Sequence, residues 1–235
     1  MIYVTSDLHG LPLKELQALL KKAGFSTADW LYILGDVVDR RNDGGVEILR
    51  WLLVQDNAQL ILGNHEAMLL ACDFVFEEIT EHSIARLSPE KWNALQLYLR
   101  NGGEATLEAM QKLLQSDPSA AAGILEYLQS APLYETTEAG GRDFLLCHAG
   151  LGDFRPDKKL SQYTPEEWLW ARPRLTDVYF HDFLTVFGHT PTRYYGNEYA
   201  GKILRTDTWI DIDVGLASGA SPVLLRLDDL EEIYL

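Results

Sequence analysis

The 235-residue chain has little sulfur and little positive charge. Its two cysteines, Cys72 and Cys147, follow no pattern that would make a framework of bridges, so a reducing compartment is the expected setting. Lys and Arg total 20 against 35 Asp and Glu, giving a formal net charge of −15. Such a surface repels phosphate backbones and excludes a broad nucleic-acid face, although a local positive pocket is allowed; small or proteinaceous substrates fit better. Charged or strongly polar residues interrupt every apolar run before about 18 residues, so no membrane helix is expected. The start MIYVTSDLHG has no basic segment leading into a long apolar stretch, so a signal peptide is not expected and the predicted location is cytoplasmic. No internal repeat, low-complexity tract or glycine-serine linker marks a boundary, and residues 1–235 are predicted to form one domain.

What the chain does contain is apolar material for a sizeable core, 47% of residues with 11% aromatic. Residues 2–4, 30–34 and 59–62 are short apolar runs bounded by turn chemistry, as buried strands are. Between them Leu13, Leu16, Leu19 and Leu20, then Val46, Leu49, Leu52 and Leu53, recur at helical spacing. The opening therefore reads β-α-β-α-β, a sheet covered by helices. Residues 66–131 read as successive helices, with Ser88-Pro89 and Asp117-Pro118 as cap-and-proline starts and a break at Asn101-Gly102-Gly103. This helical segment is either a cap over the core or an ordinary packed layer. Strands return at 133–137 and 143–147, a hairpin across Gly140-Gly141, and again at 185–187, 209–212 and 222–227. The acidic stretch 228–232 reads as a solvated charge run.

Polar residues cluster directly after five of these apolar runs. The clusters are Ser6-Asp7-Leu8-His9-Gly10, Gly35-Asp36-Val37-Val38-Asp39-Arg40, Gly63-Asn64-His65-Glu66, Cys147-His148-Ala149-Gly150 and Gly188-His189-Thr190-Pro191. In open α/β sheets ligands bind beyond the carboxyl ends of the strands, so five such clusters can converge on one place. Carboxylate, imidazole and carboxamide together form the ligand set of a first-row divalent metal such as manganese, iron or zinc, and there are enough of them for two ions. Each cluster alone carries a blander reading: Asp-x-His as a turn, and Gly-Asn-His-Glu as a helix start capped by Asn64.

Together the five blocks resemble the calcineurin-like metallophosphoesterases, and within them the phosphoprotein phosphatases of the small bacterial and phage, lambda phosphatase-like branch. The resemblance spans residues 6–190, and Trp170-x-Arg172 and Asn101-Gly102-Gly103 resemble the same branch. It implies an α/β fold, a central β-sandwich flanked by helices with the helical insertion in mid-chain. It also implies that Asp7, His9 and Asp36 hold a first metal ion, that Asp36 bridges, and that Asn64, His148 and His189 complete the second. His65 is then the general acid with Asp39 orienting it, and Arg40 and Arg172 grip the phosphoryl oxygens. The reaction so implied is attack on phosphorus by a hydroxide between two divalent ions about 3.5–4 Å apart, manganese first with iron or zinc as alternatives. The expected activity is that of a serine/threonine protein phosphatase, with phosphotyrosine as a further substrate option; diadenosine tetraphosphatase or another small-molecule phosphoesterase is the alternative, and a non-catalytic adaptor a minor one. The partner is accordingly a phosphoprotein or a small phosphorylated molecule, with neither nucleic acid nor membrane.

Two departures from the family pattern stand out: Ser6 replaces the first glycine, and Arg41 replaces the glycine after Asp39-Arg40, in a loop that reads as one residue longer than in the phage branch. Arg41 reads as a solvated surface arginine, with a substrate contact as the other option. His82 and His181 carry no expected role.

Overall fold

A computed structural model of the chain describes residues 1–78, 80 and 87–235. Two five-stranded mixed sheets form its centre. The first has the order β10-β9-β1-β2-β3, built from β1 (Ile2–Thr5), β2 (Trp30–Ile33), β3 (Ala58–Leu60), β9 (Val223–Arg226) and β10 (Glu231–Tyr234). The second has the order β4-β5-β6-β8-β7, from β4 (Tyr134–Ala139), β5 (Arg142–Cys147), β6 (Leu184–Phe187), β7 (Leu204–Arg205) and β8 (Trp209–Asp211). β1, β2 and β3 run parallel, as do β5, β6 and β8, so that six strand ends point the same chain direction within their sheets.

Alternation along the strands sorts side chains into three apolar layers. Val4, Tyr32 and Leu34 from the first sheet meet Phe144, Leu146, Val186 and Ile210 from the second, which makes the interior of a β-sandwich. Their sequence neighbours Tyr3, Leu31 and Ile33 face the other way, into helices α1 (Leu13–Lys22) and α2 (Val46–Leu52). On the outer face of the second sheet Leu145, Cys147, Phe187 and Trp209 pack under Tyr163, Trp168 and Tyr179. Cys72 and Cys147 are free and buried.

The helical segment is made of α3 (Asn64–Ala71), α4 (Pro89–Arg100), α5 (Glu104–Ser116) and α6 (Pro118–Ser130). Ser88 and Asp117 cap α4 and α6 as their sequence spacing predicts, accepting from the Lys91 and Ala120 amides with proline at the first helical position. Tyr98, Leu107, Met110, Ile124 and Leu128 join the core over the first sheet. The segment is a packed layer, and it also reaches the polar site.

The two strands absent from the sequence reading are β7 and β10. β7 has two residues, too short for a periodic signal, and it lies antiparallel to β8. β10 begins within the acidic run and extends past it: Glu231 pairs with Arg226 across the antiparallel ladder, and the Arg226 guanidinium holds Asp229 and Glu231 together. Backbone pairing and one arginine thus outweigh the charge repulsion that suggested a solvated tail. The hairpin turns on Gly140 and Gly141, both at positive φ (56° and 76°), the conformation a two-residue primed turn needs. Among the described residues no helix is long and apolar enough to cross a membrane.

Candidate metal centre

The five polar clusters converge. Asp7 and His9 follow β1, Asp36 and Asp39 follow β2, Asn64 and His65 open α3 after β3, His148 follows β5 and His189 follows β6. All eight side chains are buried, none more than 7% exposed. The backbone takes tight corners to bring them there: Asp7, His9, Asp36, Asp39, Arg40 and His189 all have positive φ, between 41° and 79°. Hydrogen bonds between loops hold those corners, the amides of Asp7, His9 and Gly10 donating to the carbonyls of Gly35, Asp36 and Val37.

Two ligand groups share Asp36. In one, His148 Nε2 lies 2.8 Å from Asn64 Oδ1, 3.2 Å from His189 Nδ1 and 3.4 Å from Asp36 Oδ1. In the other, His9 Nε2 lies 3.7 Å from Asp36 Oδ2 and 3.9 Å from Asp7 Oδ1, with His65 nearby. Donors bonded to one ion at about 2.0–2.2 Å stand about 3–4 Å apart, so both spacings suit a cation.

Proton positions make the same point. His148 Nδ1 faces the Leu34 carbonyl at 2.8 Å and His9 Nδ1 faces the Val38 carbonyl at 3.1 Å. A carbonyl only accepts, so each Nδ1 carries the proton and each Nε2 turns a lone pair inward. At the His148 group that lone pair meets the Asn64 oxygen, which also lies 2.9 Å from His189 Nδ1; the other ring nitrogen of His189, the buried Nε2, has no hydrogen-bond partner among the described residues. Burial lowers the proton affinity of His9 to a pKa of about 3 and also lowers that of His148, which keeps both imidazoles neutral and able to ligate. Burial, with the Asp213 and Asp36 carboxylates beside it, raises the Asp7 pKa well above the carboxylate range. Lone pairs and carboxylates collected without a proton or cation between them fit divalent metal, and these residues could hold two ions that share Asp36.

His65 stands apart from the ligands in its contacts. Its Nδ1 lies 2.6 Å from Asp39 Oδ2, and its Nε2 receives an N–H of Arg40 at 3.2 Å. A guanidinium at that distance disfavours a cation on the same nitrogen, which separates His65 from the neighbouring ligand group. Burial works against a charged imidazole, but the Asp36 and Asp39 carboxylates outweigh it and raise the His65 pKa. Arg172 lies on the exposed side, 3.2 Å from Thr190 Oγ1.

Several residues that shape the site had no sequence role. Asp39 is fully buried, and its Oδ1 accepts the Tyr98 hydroxyl at 2.5 Å and the Thr106 hydroxyl at 2.7 Å. Both come from the helical segment, 59 and 67 positions along, a pairing that no local spacing encodes. The same segment docks through the Gly102 carbonyl, which accepts the Arg40 amide at 2.9 Å. Glu66 was visible only as the end of Gly-Asn-His-Glu, near a helix dipole. Its carboxylate takes four backbone amides, those of Asp36, Val37, Val38 and Gly63, and so clamps the β2 loop to the β3 loop. Burial first and Asp36 second raise its pKa to about 7. Asp213, also raised to about 7 by burial, borders the site.

Arg41 corrects the reading of a solvated arginine. It is half-buried and donates to the carbonyls of His9 and Leu8 at 3.2 and 3.3 Å, while Asn42 Nδ2 donates to the Gly10 carbonyl at 2.8 Å. The loop of residues 41–42 thus braces the turn carrying Asp7 and His9. His181 is exposed, and His82 lies outside the described residues.

Residues 1–212 match the calcineurin-like phosphoesterase family, and the chain belongs to it. Among curated proteins, the symmetrical bis(5'-nucleosyl)-tetraphosphatase of Acidovorax sp. (strain JS42) is 30% identical over 169 residues, 72% of this chain and 47% of that protein. The protein of the same name from Vibrio cholerae serotype O1 (strain ATCC 39315 / El Tor Inaba N16961) is 32% identical over 151 residues, 63% of this chain and 44% of its own length. The chain thus spans about half the length of the curated relatives it matches. A solved structure assigned as a diadenosine tetraphosphatase superposes with a TM-score of 0.63 at 18% identity, covering 100% of this chain and 92% of the other. A cold-active protein-tyrosine phosphatase of a Shewanella species gives 0.57 at 18%, covering 100% and 80%. Those two activities on one scaffold show that the structural likeness speaks for the fold alone.

The curated relatives overturn the expectation of a lambda phosphatase-like serine/threonine protein phosphatase. The reason is chemical. The five blocks supply a donor set suited to metal, one arginine and a histidine–aspartate pair, which would serve monoester and anhydride hydrolysis alike, and they carry no signature of what lies beyond the departing oxygen.

Proposed function

We propose that this metallophosphoesterase hydrolyses the phosphoanhydride bridge of dinucleoside polyphosphates, diadenosine tetraphosphate being the type case, and cuts a tetraphosphate symmetrically into two nucleoside diphosphates. The observation that carries the reading is the run of curated relatives named for this activity, two of which match 72% and 63% of the chain. The site's chemistry agrees with it.

Asp7, His9 and Asp36 would hold one divalent ion, and Asp36, Asn64, His148 and His189 the other, with manganese as the first candidate. Bound there, the ions supply Lewis acidity toward a phosphoryl oxygen and toward water. Arg40 and Arg172 bind the remaining phosphoryl oxygens through charge-assisted hydrogen bonds. A phosphate that draws the Arg40 guanidinium to itself removes the N–H from His65 Nε2, 3.2 Å away, and frees that nitrogen to carry a proton. Asp39, anchored by Tyr98 and Thr106, keeps the ring's other nitrogen protonated and the ring in place. His65 then delivers its proton to the departing oxygen.

The test is a substrate panel with added manganese: diadenosine tetraphosphate, p-nitrophenyl phosphate, and peptides carrying phosphoserine, phosphothreonine or phosphotyrosine. Chromatography should show ADP as the sole nucleotide product and the dinucleotide as the preferred substrate. AMP with ATP as products, or a higher kcat/KM on p-nitrophenyl phosphate, would defeat the proposal.

A further inference from the structure

The buried centre opens onto a trench of about 750 Å³, within the range of pockets that enclose small ligands. His9, His189 and Arg40 form its inner wall; its outer part is built by segments 172–176 and 190–195, which have no assigned role beyond Arg172. The chain is strongly acidic, yet this trench is lined by four guanidiniums, Arg40, Arg172, Arg174 and Arg193, and by one carboxylate, Asp213. Arg174 is engaged by Asp177 at 3.0 Å, whereas among the described residues Arg172 and Arg193 have no ion-pair partner.

Arg193 has a different neighbour. Its guanidinium lies 5.3 Å from the centre of the Tyr194 ring, and Tyr194 is 68% exposed at the trench rim. Leu175, Pro173, Pro191 and Ala217 add apolar lining to the same trench. The pair sits on a fixed base. Thr192, fully buried, donates its amide to the Asp213 carbonyl at 2.9 Å and its hydroxyl to the Tyr199 carbonyl at 3.0 Å. Arg193 and Tyr194 are therefore held four and five residues beyond His189 by backbone bonds, not left on a loose loop.

A guanidinium without a salt bridge recognises a phosphate, and an exposed aromatic ring in a partly apolar trench recognises a planar ring system. A phosphate alone has no use for the tyrosine, and an apolar ligand has none for the arginine. We infer that Arg193 and Tyr194 seat the nucleoside diphosphate portion of the substrate, with a phosphate next to the scissile one on Arg193 and the base stacked on Tyr194. The inference rests on the dinucleotide reading above and gives its specificity a location.

Isothermal titration of the manganese-supplemented protein with ADP and with pyrophosphate tests it. The parent should bind ADP about tenfold more tightly than pyrophosphate, the lower range of what a base stacked on an aromatic side chain supplies. Tyr194→Ala should abolish that margin and Tyr194→Phe should keep it, while Arg193→Gln should weaken both ligands, each variant melting where the parent melts. A parent without preference for ADP, or a Tyr194→Ala protein that keeps the preference, overturns the inference. Turnover reads the activity separately. A protein that binds ADP through Tyr194 but leaves diadenosine tetraphosphate uncut sinks the proposed function and keeps the nucleotide seat. One that cleaves the dinucleotide equally well with and without the Tyr194 ring keeps the function and loses the seat.

Discussion

Removing one hydroxyl from a helix outside the ligand set should damage both the fold and the chemistry. Tyr98→Phe deletes the donor that lies 2.5 Å from Asp39 Oδ1, in a side chain that is fully buried. Burial, and the Asp39 charge after it, raise the Tyr98 pKa far above the phenol range, so this hydroxyl is a permanent donor. A hydrogen bond to a charged group contributes about 1.5–3 kcal/mol. For a chain of 235 residues each kcal/mol shifts the melting temperature by about 2–4 °C, so a fall of about 3–12 °C is expected. Thr106→Val removes the second donor to the same oxygen, at 2.7 Å, and the acceptor of the Asp39 amide, at 2.9 Å. Because both donors serve one atom, the double variant should depart from the sum of the two single losses. Thermal denaturation by circular dichroism measures the stability terms. Turnover should fall with KM little changed, since the carboxylate that steadies His65 loses its own anchor. A Tyr98→Phe protein that melts within about a degree of the parent and keeps its kcat would refute the reasoning.

Three further expectations follow from the site. His65→Asn should cost about 10²–10⁴-fold in kcat on an alkyl phosphomonoester, whose leaving group needs the proton, and distinctly less on diadenosine tetraphosphate, whose departing diphosphate is a weak base; equal losses on both substrates would remove His65 from the acid role. Glu66→Gln strands two of the four amides on that carboxylate whichever way the new amide turns, because each oxygen serves two of them, which costs about 2–6 kcal/mol; an unchanged melting temperature would show that the clamp carries no strain. Manganese at a hundredfold excess over its Kd should stabilise the fold by about 2.7 kcal/mol for each site filled, reversed by a chelator, and a melting curve indifferent to both would contradict a metal centre.

Much of this was legible in the sequence, for a definable reason. Among the described residues, apolar runs bounded by turn residues located eight of ten strands, and cap-and-proline starts with a glycine break located the helices after residue 87, because burial and chain turns both leave local signals. The candidate ligands were legible because each lies just beyond a strand, in a short polar cluster that contains a glycine. What stayed hidden is what couples distant segments. Tyr98 and Thr106 look like ordinary helix residues, and only the docking of Gly102 on the Arg40 loop brings them to Asp39. Arg41 looked like surface because its partners are backbone carbonyls, which no side-chain pattern reveals. β10 was masked by its own charges. The leaving-group preference was illegible for a deeper reason: the motifs encode how phosphorus is attacked, and the substrate's remainder meets the chain elsewhere.

The backbone of the centre explains why so much of the surrounding network is needed. Of nine non-glycine residues with positive φ among those described, six are Asp7, His9, Asp36, Asp39, Arg40 and His189. Such conformations cost on the order of 1 kcal/mol each, so the six together approach the net stability of a whole domain, about 5–15 kcal/mol. Five of the six are Asp or His, residue types that enter the left-handed region more readily than most, so side-chain choice lowers the cost before any contact offsets it. The rest is offset where the loops cross: Glu66 takes four amides, Arg41 and Asn42 brace three carbonyls, and Tyr98 with Thr106 fixes the fully buried Asp39. None of these groups points at substrate. They hold the candidate ligands in a geometry that the chain alone would relax, and that leaves the lone pairs of His9, His148 and Asn64 turned inward with too few protons to share. A cation is what completes such an arrangement, so metal affinity and fold stability here should rise and fall together.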